Sequence, residues 1–84
     1  MQCDGFYEQQ ARLDGVICDH TKEDKMDFLK KCYKEGVRNM EMECSYFGSF
    51  TQKIGVRAAM VCVAFLNRFA GDQVLSPIED LIDF

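Results

Sequence analysis

Several familiar signatures are missing from this sequence of 84 residues. No apolar run approaches the roughly 18 residues needed to span a bilayer; the longest near-continuous one covers residues 58–66. The first residues have neither the basic region nor the apolar core of a secretory signal. These two absences together predict a cytosolic chain. Basic residues are outnumbered, 10 against 14 acidic, for a net charge of −4. Non-specific nucleic-acid binding, which needs clustered Lys and Arg, is therefore not the default. No G-x-x-x-x-G-K or G-x-G-x-x-G loop is present to cradle a phosphate chain. No repeat, low-complexity tract or Pro/Gly/Ser-rich linker marks a boundary, so residues 1–84 read as one unit.

Cysteine is the residue in excess. Five occur, at positions 3, 18, 32, 44 and 62, without a Cys-x-x-Cys pair. The odd count and irregular spacing speak against a disulfide framework and predict free thiols in a reducing compartment. The only histidine, His20, lies two residues from Cys18; one His and one Cys fall short of the three or four ligands of a zinc site. Cys44 sits where a helix N-terminus can lower a thiol pKa, but free cysteine is commonly buried, and a small buried residue is the preferred reading there. A thiol-based redox module is thus one functional class to weigh.

With 48% apolar and 29% charged residues the chain has a globular composition. Thr21 with Asp24 predicts a capped helix over residues 22–35, with Met26, Phe28, Leu29, Cys32 and Tyr33 on one side and Gly36 as its terminator. A second helix is expected from Glu43 or Cys44 to Ile54, stopped by Gly55. Residues 15–18 and 37–40 are short strand candidates. The unalternated apolar run 58–66 reads as a strand buried on both faces. Ser76-Pro77 marks a last helix start. This order predicts an α/β fold with parallel pairing. The chain supplies too few strands to close such a sheet, so it reads as part of a larger one. An unpaired strand at 58–66 further predicts poor solubility.

Three segments carry candidate chemistry. Gln10 and Arg12 combine an amide donor and acceptor with a planar donor fork, suited to the edge of a heterocycle on which Phe6 can stack; an ordinary polar loop explains them too. Glu41, Met42 and Glu43 fall at a strand end, where α/β folds bind ligands, and a carboxylate there can accept from a ribose diol; acids in the first turn of a helix are the plain alternative. Phe65, Leu66 and Arg68 close the apolar run, as the wall of a pocket and a cation at its rim, or as core and solvated surface.

Taken together and in order, Phe6-Tyr7-x-x-Gln10-x-Arg12, Asn39-x-Glu41-Met42-Glu43 and Phe65-Leu66-Asn67-Arg68 resemble the uridine phosphorylases. Arg12-Leu13-Asp14-Gly15, Gly36-Val37-Arg38-Asn39, Val61-Cys62-Val63, Gly71-Asp72-Gln73 and Ser76-Pro77 extend the resemblance across the chain. It implies the C-terminal part of a nucleoside phosphorylase domain, a three-layer αβα fold around a mixed sheet. It also implies cleavage of uridine by phosphate to uracil and ribose 1-phosphate, in pyrimidine salvage and catabolism. By resemblance, Phe6, Gln10, Arg12, Phe65, Leu66 and Arg68 contact uracil, and Met42 and Glu43 contact ribose. Glu41 supports that strand end, and Arg12 and Glu43 are the catalytic pair.

The resemblance implies no cofactor, phosphate as co-substrate, no nucleic acid or membrane partner, and a homodimer or larger assembly. Cys44 stands where purine-cleaving relatives carry an Asp, which disfavours purines. Gln9 and Ala11 replace two glycines usual beside the Gln, so a left-handed backbone there, at Gln9 for instance, would cost about 1 kcal/mol or more. The family's phosphate-binding elements belong to an N-terminal half these residues do not match. The expectation is a nucleoside half-site, inactive alone. A non-catalytic nucleoside-binding or subunit-interaction fragment is the alternative.

Overall fold

The computed structural model describes residues 1–75, and the expected helix start at Ser76-Pro77 lies outside them. Among the described residues two helices form, α1 (Lys22–Lys34) and α2 (Cys44–Lys53). At the head of α1 the Thr21 side chain accepts from the Asp24 N–H at 3.2 Å, while the Asp24 carboxylate accepts from the Thr21 N–H at 2.9 Å. This reciprocal box satisfies two otherwise orphaned donors. Both helices stop the same way. Gly36 (φ 94°) and Gly55 (φ 74°) take the left-handed conformation, and the N–H of the next residue reaches back: Val37 to the Cys32 carbonyl at 3.0 Å, Val56 to that of Thr51 at 2.9 Å.

The head of α2 is built from distant residues. Its N-cap, Glu43, makes no side-chain capping bond. Instead the Glu41 carboxylate accepts from the N–H groups of Glu43 (2.7 Å) and Cys44 (2.8 Å), and the Gln2 side-chain oxygen accepts from that of Ser45 (2.8 Å). A parallel bridge between Gln2 and Glu41 holds these groups in register. Its backbone bonds run from Cys3 N–H to the Glu41 carbonyl (2.8 Å) and from Glu41 N–H to the Met1 carbonyl (3.0 Å).

The expected sheet is not formed among the described residues. Residues 15–17 make bends, 37–40 form no ladder, and 58–66 lack a pairing partner among the described residues. Val61 is 90% exposed, where a central strand would hide it. The reason is physical: a parallel strand exists only through its neighbours, and apolar composition cannot satisfy its N–H and C=O groups. Burial is correspondingly sparse. Among the described residues the buried set is Cys3, Ala11 and Leu29 with three polar side chains, Gln10, Arg12 and Lys25. No described helix is long and apolar enough to cross a membrane.

Candidate functional site

The three buried polar residues belong to one cluster. The turn after Tyr7 returns Arg12 N–H to the Tyr7 carbonyl at 2.9 Å and Ala11 N–H to that of Glu8 at 3.0 Å. Ala11 closes this turn with φ 52°, a conformation that costs a residue with a Cβ about 1 kcal/mol. The left-handed position beside Gln10 is therefore Ala11, not Gln9. Gln9 acts on the other flank, its side-chain oxygen accepting from the Asp4 and Gly5 N–H groups at 2.7 and 2.9 Å.

Arg12 is clamped. Its Nε and Nη2 donate to the two Asp14 carboxylate oxygens at 2.9 and 2.6 Å, Nη2 also donates to the Asp72 carbonyl, and the Phe6 ring covers its guanidinium at 4.3 Å. The bonds to Asp14 hold Arg12 protonated and the Asp14 carboxyl below its usual range. Phe6 thus stacks on Arg12 and also meets Tyr7 edge-on at 5.0 Å. Arg68 reaches in from residues 67–73. Its Nη2 donates to the Gln10 carbonyl at 2.7 Å and its Nη1 to the Gln10 side-chain oxygen at 3.5 Å. Nη1 also lies 3.7 Å from the Met40 sulfur, linking the cluster to the segment that leads into Glu41.

Asp72 lies at the centre. Oδ1 accepts from Lys25 Nζ at 2.8 Å and from Arg68 Nε at 3.0 Å; Oδ2 accepts from the Leu13 N–H at 2.9 Å. Burial opposes its charge, but the bonds from Lys25 and Leu13 and the charge of Arg68 outweigh that and bring its carboxyl down to about 2. Gln73 adds a bond to Asp14 at 2.6 Å. The reading of single motifs gave Lys25, Asp72 and Gln73 no role. A signal was present for Lys25: it shares the helical spacing of Leu29 and Cys32, so a cation falls on the buried side of α1.

The structure brings together Phe6, Gln10, Arg12 and Arg68. The ribose candidates lie at the head of α2, where the Glu43 carboxylate accepts from the Met42 N–H at 3.3 Å and the Met42 carbonyl accepts from Gln2 at 2.8 Å. Among the described residues, no hydrogen bond or ion pair joins Glu41 or Glu43 to Gln10 or Arg12. Phe65, 43% exposed, and Leu66, half-buried, lie on the unpaired run just before Arg68. A groove of about 370 Å³ lies elsewhere, between α2 and residues 56–60, lined by Phe47, Thr51, Val56 and Met60 among others. It contains none of the expected site residues.

The thiol of Cys44 moves opposite to the activation that a helix N-terminus can give. Desolvation first, then the neighbouring Glu41 carboxylate, push it up to about 11. The Cys18 sulfur lies 3.8 Å from the His20 ring nitrogens, but no group of three potential metal ligands is assembled among the described residues.

No family model matches the chain. Individual relatives do. The chain is 51% identical over all 84 residues to a uridine and thymidine phosphorylase of Caenorhabditis elegans. It is 44% identical over 79 residues to uridine phosphorylase 1 of Mus musculus, and 43% identical over 75 residues to inactive uridine phosphorylase B of Schistosoma mansoni. These matches cover 89–100% of this chain and 25–28% of the relatives, so the chain spans about a quarter of the length of the curated relatives it matches. From one end to the other, these residues are homologous to a segment of the uridine phosphorylases.

Proposed function

We propose that this chain supplies the nucleoside-binding part of a pyrimidine nucleoside phosphorylase acting on uridine, within an αβα domain completed by further polypeptide. The observation that carries this reading is the cluster in which Arg68 bonds Gln10 while Asp72 ties Arg68 to Arg12. Side chains from two distant segments, both matching uridine phosphorylases, converge on one place.

In this reading phosphate forms a bond to the ribose anomeric carbon as the bond to uracil N1 breaks, and the electron pair leaves on the base. Arg12 is suited to that charge. With Nε and Nη2 occupied by Asp14 and the Asp72 carbonyl, Nη1 is the edge left to meet a base carbonyl. A donor fixed beforehand stabilises charge without reorganising during the reaction. Gln10 pairs with the base edge, and Phe6, Phe65 and Leu66 supply apolar surface. Glu43 accepts from the ribose hydroxyls beside Met42, with Glu41 fixing the strand end through the α2 amides. Phosphate is the co-substrate and no cofactor is required. A homodimer or larger assembly and a cytosolic location complete the proposal. Thymidine joins uridine as a candidate substrate because the Caenorhabditis elegans relative bears both names.

Titration calorimetry of the purified chain with uridine tests the reading. Binding that Arg12→Ala and Glu43→Ala each weaken at least tenfold is expected; a wild-type chain that evolves no heat with uridine overturns it. The chain alone is expected not to release uracil. Phosphate-dependent release above a Glu43→Ala control would overturn that. A second reading, a non-catalytic nucleoside-binding or subunit-interaction fragment, is favoured by one observation: a relative of nearly equal identity is named inactive. Uridine binding with no turnover, even when the chain is joined to the remaining three quarters of a relative, would select it.

A further inference from the structure

Residues 67–73 close over residues 10–14 through charged groups, not apolar ones, and the Lys25–Asp72 pair is the innermost of these. The two side chains are 5% and 8% exposed and 2.8 Å apart. Neither has an expected place against the base or the sugar. Asp72 nevertheless meets both arginines of the cluster, accepting from Arg68 at its carboxylate and from Arg12 at its carbonyl. Lys25 reaches the same loop twice, at the Asp72 carboxylate and at the Gly71 carbonyl at 3.3 Å.

The downstream geometry shows what this achieves. Arg68, held at Nε, turns its other two nitrogens onto Gln10, and the bond from Nη1 to the side-chain oxygen aims the Gln10 amide nitrogen away from the cluster. Arg12 retains Nη1. Both groups left over are donors, a match for two carbonyl oxygens on one ring. Among the described residues the cluster also holds three cations, Arg12, Lys25 and Arg68, against two carboxylates, Asp14 and Asp72. A buried pair kept for stability alone gains little over apolar residues of equal volume. An excess positive charge suits a base that becomes negative as it departs.

We infer that Lys25 and Asp72 are positioning residues, which set the Gln10 amide and the Arg12 guanidinium at the spacing of a dicarbonyl pyrimidine. This rests on the nucleoside reading above. The test compares uracil with pyrimidin-2-one, which has the same ring and one carbonyl, as ligands of the full chain.

Lys25→Met, which keeps the apolar stem and removes the ammonium, is expected to weaken uracil about tenfold and pyrimidin-2-one less than twofold, with helix content unchanged by circular dichroism. Lys25→Arg is expected to restore uracil to within threefold of wild type. Should Lys25→Met fail to fold, Asp72→Glu carries the test: it keeps the charge and displaces it by one methylene, and the uracil preference is expected to fall at least fivefold. A loss shared equally by both ligands, or an unchanged preference, overturns the positioning role alone. A wild-type chain that binds neither ligand overturns the nucleoside reading and this inference with it.

Discussion

Asp72 and four charged side chains around it pack into a closed network, with Arg12, Lys25 and Gln10 each less than one-tenth exposed. At the other end, α2 buries no residue, and the run after it leaves Met60, Val61, Val63 and Phe65 between 42 and 90% exposed. The polar region is finished and the apolar one is open, the reverse of an ordinary small domain. Charged groups can satisfy one another with a handful of bonds inside one chain. A flat apolar strand needs a ladder on each edge and a layer on each face, which takes far more polypeptide.

The largest expected effect that would break this contrast is on stability. Asp72→Ala leaves Lys25 and Arg68 without their shared carboxylate and should cost about 3–5 kcal/mol in urea denaturation. A cost below about 1 kcal/mol would mean that the network is solvated and does not hold the chain together. Next comes pH. The Asp72 carboxyl lies at about 2, below its ordinary 3.8. Its contribution is therefore fully present above about pH 4 and lost as pH falls through about 2, worth about 2 kcal/mol. Denaturation midpoints recorded from pH 5 to pH 2 should fall, and Asp72→Asn should flatten the slope.

Ala11→Gly sharpens the comparison within the polar region. It relieves the left-handed strain beside Gln10 and should stabilise by about 0.5–1 kcal/mol, read as a higher thermal midpoint. The smallest effect belongs to the open region: Val61→Lys should change stability by less than about 0.5 kcal/mol while raising the solubility limit, measured by light scattering. A large destabilisation there would show that Val61 is buried in solution.

The same contrast explains what the sequence made legible. Both helices could be read because caps and terminators are local: Thr21 with Asp24, then Gly36 and Gly55, act within a turn or two of their targets. The grouping of Gln10, Arg12 and Arg68 was readable through resemblance, since separations of 56 and 58 residues give no periodic signal. Asp72 entered through the resemblance alone and without a role, because nothing local in Gly71-Asp72-Gln73 shows that this loop closes on α1. The strand expected at 58–66 finds no pairing partner among the described residues. Its composition states what it would accept as surroundings, whereas pairing depends on groups these residues do not contain.

The head of α2 is anchored through residues 1–3, with Gln2 bonding Met42 and Ser45 and the Met1 nitrogen bonding Asn39 at 2.8 and 2.9 Å. Detaching residues 1–3 therefore releases the opening turn of a helix more than forty positions away. Amide protons of Cys3, Glu41 and Ser45 should exchange with deuterium at a common rate, as one latch that opens all at once.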